Sequence, residues 1–155
     1  MWTSVLPATV VTAVGAGVVA GEAVEGIARV PESHSRVTMT MLIGQALAQN
    51  TAILGFVVAI LLWTASKGGD VAVGDWATSL PRIAACLGAG IAMGAGAMGP
   101  ALGIGQVCSR ACASVARNQA NASLIQQTMF VGAAVSESTA IYSLVVAFLL
   151  YTFVG

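Results

Sequence analysis

An apolar run from Phe130 to Val154, FVGAAVSESTAIYSLVVAFLLYTFV, limits what this chain can become more than any other stretch. About 20 consecutive apolar residues cross a bilayer as a helix, and this run is longer than that. Inside it lies one carboxylate, Glu137. A charge at the centre of a membrane helix costs roughly 2.5–3.5 kcal/mol on insertion scales, so an acid kept there points to a function. Ser136, Ser138, Thr139 and Tyr142 surround it in sequence with hydroxyls suited to holding a proton or a cation. A plainer reading uses the same residues: a protonated Glu137 that pins two helices together.

Three more apolar spans precede it, Val5 to Ala28, Met39 to Trp63 and Leu80 to Ala116, and the last span runs from Leu124 to Val154. Polar turns, Arg29 to Arg36 and Arg117 to Ser123, join the spans in pairs, and a linker from Ala65 to Ser79 joins the pairs. Hydrophobic residues make up 57% of the chain and charged residues 8%, with zero net charge. That balance describes an integral membrane protein and argues against a nucleic-acid partner. Spans of this length are helices rather than strands of a closed barrel. The fold class predicted is therefore all-α, with four transmembrane helices. Met1-Trp2-Thr3-Ser4-Val5-Leu6-Pro7 lacks the positive start of a signal peptide, so the first span is expected to remain in the mature chain.

The two pairs repeat one another. A gap-free shift of 88 residues lays Gly15 on Gly103, Gly17 on Gly105, Arg29 on Arg117, Gly44 on Gly132 and Thr51-Ala52-Ile53 on Thr139-Ala140-Ile141. Residues 1–64 form a first helical hairpin, 65–79 the linker and 80–155 a second hairpin. Equivalent positions are separated by an even number of spans, so both hairpins point the same way, unlike the inverted repeats of many secondary transporters. In this register Glu137 falls on Gln49, which hydrogen-bonds but does not exchange a proton near neutral pH. One hairpin titrates and its twin does not. Arg29, Arg36, Arg110 and Arg117 cluster at the short turns against Lys67 and Arg82 near the linker, which places the turns in the cytoplasm.

The third span is rich in glycine, and Gly90/Gly94 and Gly99/Gly103 are the small-xxx-small pairs of closely packed helices. Pro100 is expected to kink or loosen this helix. Gly94 to Gly99 also matches the dinucleotide-binding glycine pattern, but no strand precedes it, so the match is set aside. Cys86, Cys108 and Cys112 lie in apolar sequence and read as small packing residues, without the further ligands a metal site needs. Glu22 and Glu25 share a helix face and read as solvated or paired with Arg29. His34, the only histidine, is expected in a solvated turn. No nucleophile–base pair or phosphate loop is visible, so the chain alone is not expected to catalyse a covalent reaction, and no cofactor is predicted.

Together, the glycine-rich span, the turns AVEGIARVPE and ASVARNQA, and the helix ESTAIYSLVVAFLL resemble the proteolipid (c or K) subunit of F-type or V-type rotary ATPases, once per hairpin. The duplicated hairpin with one retained acid is similar to the V-type form, and the turns look more like the F-type. The resemblance implies a homo-oligomeric ring among membrane lipids, with the bacterial inner (plasma) membrane as the expected location. Glu137 would carry the ion past a stator a-type subunit through two offset half-channels, with a stator Arg facing the ionised acid. Arg29 and Arg117 would contact the central stalk. The neutral or ion-paired acid suits lipid and the charged form suits a polar or cationic interface. With Gln49 in the twin position, each chain would carry one ion instead of two, a ratio that favours ATP-driven pumping.

The resemblance also bears on the choice of ion. In sodium-binding relatives the acid is followed by Ser and joined by Gln or Glu from the glycine-rich helix. Glu137-Ser138-Thr139 fits the first part, making Na⁺ at Glu137 and Ser138 one reading. The Gln/Glu position, however, falls on Ile104, and Gln106 lies two residues on, about 200° around the helix. A bend at Pro100 bringing Gln106 round, or an oxygen from Gln49, would complete a sodium site. A proton needs only the carboxyl, so H⁺ and Na⁺ both stay open. Two rivals complete the reading: a structural or pore-forming tetraspan protein that oligomerises through its glycine faces, and a proton-coupled secondary transporter.

Overall fold

In hydrocarbon every backbone N–H and C=O must find its partner within the protein, and long apolar helices satisfy this on their own. The computed structural model describes residues 2–67 and 76–152, and these wind into five helices. They are α1 (Trp2–Arg29), α2 (His34–Lys67), α3 (Trp76–Gly96), α4 (Met98–Arg117) and α5 (Ala122–Thr152). Helices α3 and α4 are two halves of one span, so four candidate spans result, ending at Arg29, Thr64, Arg117 and Thr152. Most of the linker expected at 65–79 lies outside the described residues.

The repeat read from the sequence is present in the backbone. Each hairpin turns through a single 3₁₀ turn, Pro31–Ser33 in the first and Gln119–Asn121 in the second, at positions that coincide under the 88-residue shift. The residue before each turn has nearly the same conformation: Val30 at φ −136°, ψ 82° and Asn118 at φ −140°, ψ 79°. Different side chains stabilise the two turns. Pro31 fixes the backbone of the first, and Val30 O accepts from both Ser33 N (3.0 Å) and Ser33 Oγ (2.7 Å). In the second, Asn118 Oδ1 accepts from Asn121 N. His34 is the exposed first residue of α2 and not part of a loop, because the chain reverses within Pro31–Ser33.

The third span breaks at Ala97, three residues before Pro100. Proline has no N–H, so Gly96 O loses the donor it would meet four residues on. The ladder resumes immediately through Ala97 N→Met93 O (3.0 Å) and Ala101 N→Ala97 O (3.2 Å). The loosening expected at Pro100 is thus confined to one residue.

Glycine lets α4 approach α1 closely. A Cβ on Gly15 would lie 2.7 Å from Ala101 O, and one on Gly105 would lie 2.8 Å from Gly15 Cα. Two apolar clusters fill the interior. One, toward the turns, gathers Val19, Ala23, Val37, Ile104, Cys108, Cys112 and Val115. The other, toward the linker, gathers Ala8, Val58, Leu62, Ala89, Met93 and Ala147. Cys108 and Cys112 are fully buried free thiols, in the packing role that apolar surroundings dictate.

Candidate functional site

Between the two clusters runs a polar band. Glu137 sits at the midpoint of α5, with residues 122–136 before it and 138–152 after it. Either half-helix rises about 22 Å, more than half of a roughly 30 Å hydrocarbon core, so the carboxyl lies well away from both ends of the span. It is half-buried on the face of α5 that meets α2. Across that seam Asn50 Nδ2 donates to Glu137 Oε1 at 2.8 Å. Asn50 lies near the midpoint of α2, so the contact joins the two hairpins at one depth. Its amide suits either state of the acid: the NH₂ donates to a carboxylate, and the carbonyl accepts from a carboxylic acid.

Several residues singled out by sequence take other places. Ser138 Oγ donates to Val135 O (2.7 Å) and Thr139 Oγ1 to Ser136 O (2.8 Å), both within α5. Ser136 Oγ donates to Gly132 O at 3.1 Å and faces Gly103, where a Cβ would come within 3.0 Å of it. Tyr142 points outward, 68% exposed. Gln49 is exposed next to Asn50 on α2. Contacts between Gly103 and Ser136 and between Val107 and Gly132 set one antiparallel register of α4 against α5. That register puts Glu137 level with Leu102, while Gln106 is level with Ala133, about one turn away. Gln106 instead lines a groove with Glu22 and Arg110. Ile104, at the position the resemblance assigns to a Gln or Glu, is fully buried in the apolar cluster.

Asn50 is the residue that sequence reasoning passes over. Its signal is an amide inside an otherwise apolar span, one position past the twin of Glu137. Nearby, Thr12 Oγ1 and Thr51 Oγ1 share a buried hydrogen bond at 3.1 Å, which ties α1 to α2 at the same depth. At the turn end, Arg29 closes its helix and pairs with Glu25, and Arg117 closes α4. Basic side chains there favour the negative ends of their helices. A crevice of about 300 Å³ gathers Arg29, Arg110 and Arg117 with Glu22 and Glu25.

Comparison with known proteins returns the same duplication. The family model that describes the ATP synthase C subunit matches twice, over residues 4–62 and 87–150. An ATP synthase c subunit of Cereibacter sphaeroides is 46% identical over 69 residues, covering 44% of this chain and 83% of that protein. The ATP synthase c subunit of Thermotoga petrophila is 40% identical over 78 residues, covering 50% of this chain and 92% of that protein. Its counterpart in Mycoplasma pneumoniae is 43% identical over 72 residues, 46% of this chain and 68% of its own length. Each relative corresponds to about half of this chain, so the chain spans two such lengths.

Proposed function

The chain belongs to the ATP synthase C-subunit family as a duplicated, four-span membrane proteolipid, and we propose that it carries one proton per chain on Glu137 within a homo-oligomeric rotor ring. One observation carries this reading: a lone acid at the middle of α5, held across the seam by Asn50 at 2.8 Å. The side chain that reaches Glu137 is an amide, and the hydroxyls of Ser138 and Thr139 are turned onto carbonyls of their own helix. A proton needs no more than the carboxyl, whereas sodium prefers several oxygen ligands, and this arrangement supports H⁺ as cargo.

In the proposed cycle, Glu137 travels through lipid as the neutral acid, its carbonyl oxygen accepting from Asn50. On reaching the stator a-type subunit it gives its proton to one half-channel, and a stator Arg stabilises the carboxylate as it passes. A proton from the second half-channel then restores the neutral acid. Asn50 keeps the carboxyl aimed along the seam in both states, so the group reaches the stator in one orientation. Arg29 and Arg117, at the two exposed turns, form the face offered to the central stalk. Because Gln49 takes no proton, the ring moves one ion per two hairpins, which leaves more of the free energy of ATP hydrolysis for each ion and favours pumping. The turns face the cytoplasm on the positive-inside argument, and the bacterial inner membrane is the proposed location.

The test is ATP-driven proton uptake by vesicles holding the whole complex, with Glu137→Gln alongside the unsubstituted chain. The expected result is loss of uptake by the variant while its ring keeps its native mass. Uptake retained by the variant would overturn the reading, and uptake that requires sodium would overturn the choice of ion.

A further inference from the structure

Threonine hydroxyls along these helices bond back onto their own backbone: Thr9, Thr40, Thr128 and Thr139 each donate to a carbonyl three or four residues before them. Thr12 is used differently. Its Oγ1 lies 3.1 Å from Thr51 Oγ1 on α2, and both side chains are buried, 4% and 0% exposed. Thr51 gives its one proton to Ala48 O at 2.9 Å, so within the pair Thr12 donates and Thr51 accepts. The two bonds make a directed chain from α1, through Thr51, to the backbone of α2.

This clamp falls where α2 has little else to fix its rotation. Ala48 and Gly55, the buried residues on either side of Thr51, are small and offer little shape to resist turning. Toward the turns, Gln126 Nε2 donates to Thr40 Oγ1 at 2.9 Å and ties α2 to α5. That tie lies about 16 Å along α2 from Thr51. Asn50 precedes Thr51 and stands about 100° round the helix from it. With Thr51 held against α1, Asn50 is turned to α5, where its Nδ2 donates to Glu137 Oε1 at 2.8 Å. Among the described residues no charged group competes at this depth. On α2 the ionisable residues are His34, Arg36 and Lys67, at its two ends, and on α4 Arg110 and Arg117 lie toward the turn. The second hairpin has Pro100 where the first has Thr12, and its Thr139 is turned onto its own helix. The clamp is thus present on the hairpin that supplies the amide.

We infer that Thr12 is a positioning residue for the acid: acting through Thr51, it fixes the rotation of α2 that aims the Asn50 amide at Glu137. The inference rests on the reading of Glu137 as the proton carrier and gives α1 a part in it. Thr12 acts at one remove. Its hydroxyl sets where the amide stands, and the amide sets which way the carboxyl faces. A group on the far side of α2 therefore controls the orientation in which Glu137 presents its proton. Thr12→Val keeps the shape of the side chain and removes the donor. Thr51 then loses its tie to α1, and α2 is free to turn and carry Asn50 off the carboxyl. Thr12→Ser keeps the donor and with it the clamp.

The test is infrared spectroscopy of the assembled ring with isotope-labelled glutamate carboxyls, where the C=O stretch of protonated Glu137 is the band lost in Glu137→Gln. A hydrogen bond accepted by the carbonyl lowers that stretch. The expected result is an upward shift in Thr12→Val, in the direction of Asn50→Ala and no larger, with Thr12→Ser at the unsubstituted position. Adding Thr12→Val to Asn50→Ala is expected to move the band no further, because both act through one amide. Thr51→Val removes the acceptor of the clamp, should repeat the shift, and stands in if Thr12→Val assembles no ring. In vesicles holding the whole complex, ATP-driven proton uptake should fall a few-fold in Thr12→Val and keep the unsubstituted rate in Thr12→Ser. A band unmoved by Thr12→Val and Thr51→Val, or moved equally in the Asn50→Ala background, would overturn the positioning role and leave the proton reading standing. Absence of any protonated-glutamate band that Glu137→Gln removes would overturn the proton reading, and this inference with it.

Discussion

At one depth in the membrane the two hairpins hold different chemistry on the same frame. The first has Gln49, and its first helix α1 runs unbroken, with Thr12 tied to Thr51 at 3.1 Å. In the second, Glu137 stands at the twin of Gln49, Pro100 at the twin of Thr12, and Thr139 at the twin of Thr51. Pro100 offers no hydroxyl, so the clamp is gone: Thr139 is exposed and bonds only its own helix among the described residues. The span formed by α3 and α4 also breaks there, at Ala97. The acid-bearing hairpin thus lacks the hydroxyl clamp that its twin has between its own two spans. What holds its acid comes from the other hairpin, through Asn50. The two halves differ at this depth: the first carries the buried threonine clamp and the second carries the acid.

Substitutions that make the halves alike probe this division, and the greatest consequence is expected where charge is removed. Glu137→Gln gives both hairpins an amide, and ATP-driven ion uptake by vesicles should fall to background with ring mass unchanged. The reverse change, Gln49→Glu, should raise the reactive carboxyls from one to two per chain, counted as carbodiimide adducts by intact-protein mass. Asn50→Ala removes the amide that reaches the acid. A hydrogen bond is worth about 0.5–1.5 kcal/mol, so ion uptake should slow by a few-fold, about tenfold at most, while Glu137 still labels. Thr12→Val, which copies the missing clamp of the second hairpin, should cost about 1 kcal/mol, read from the denaturant midpoint of the isolated chain. Least affected is Glu25→Ala, which reproduces Ala113 of the second hairpin. The pair it breaks with Arg29 is largely exposed, and its loss should cost less than about 1 kcal/mol by the same measurement.

Much of this architecture is legible in the sequence because the membrane simplifies the code. Backbone satisfaction forces helices, hydropathy marks the four spans, and an acid such as Glu137 stands out against Val, Ala and Leu. The gap-free repeat is visible for the same reason, and the two 3₁₀ turns fall where the shift requires. The choice of neighbours around the acid is not legible. Whether Asn50, Gln49, Gln106 or Ser138 faces Glu137 depends on how the helices are rotated, and that rotation is set by glycine contacts such as Gly15 with Gly105 and Gly103 with Ser136. Both spans of each hairpin are apolar around most of their circumference, so periodicity alone does not single out the facing side. Polarity places His34 in a loop, whereas the tight reversal at Pro31–Ser33 depends on local backbone conformation that polarity does not encode.

If each chain carries one exchangeable proton on Glu137, that carboxyl alone should show it. Carbodiimides modify protonated carboxyls, so labelling of the purified ring across pH, with and without millimolar sodium, reads the occupancy of the site itself. The expected outcome is one adduct per chain, at Glu137, falling as pH rises and indifferent to sodium. Protection of Glu137 by sodium, or labelling that spares it, would show that the site does not carry a proton as described.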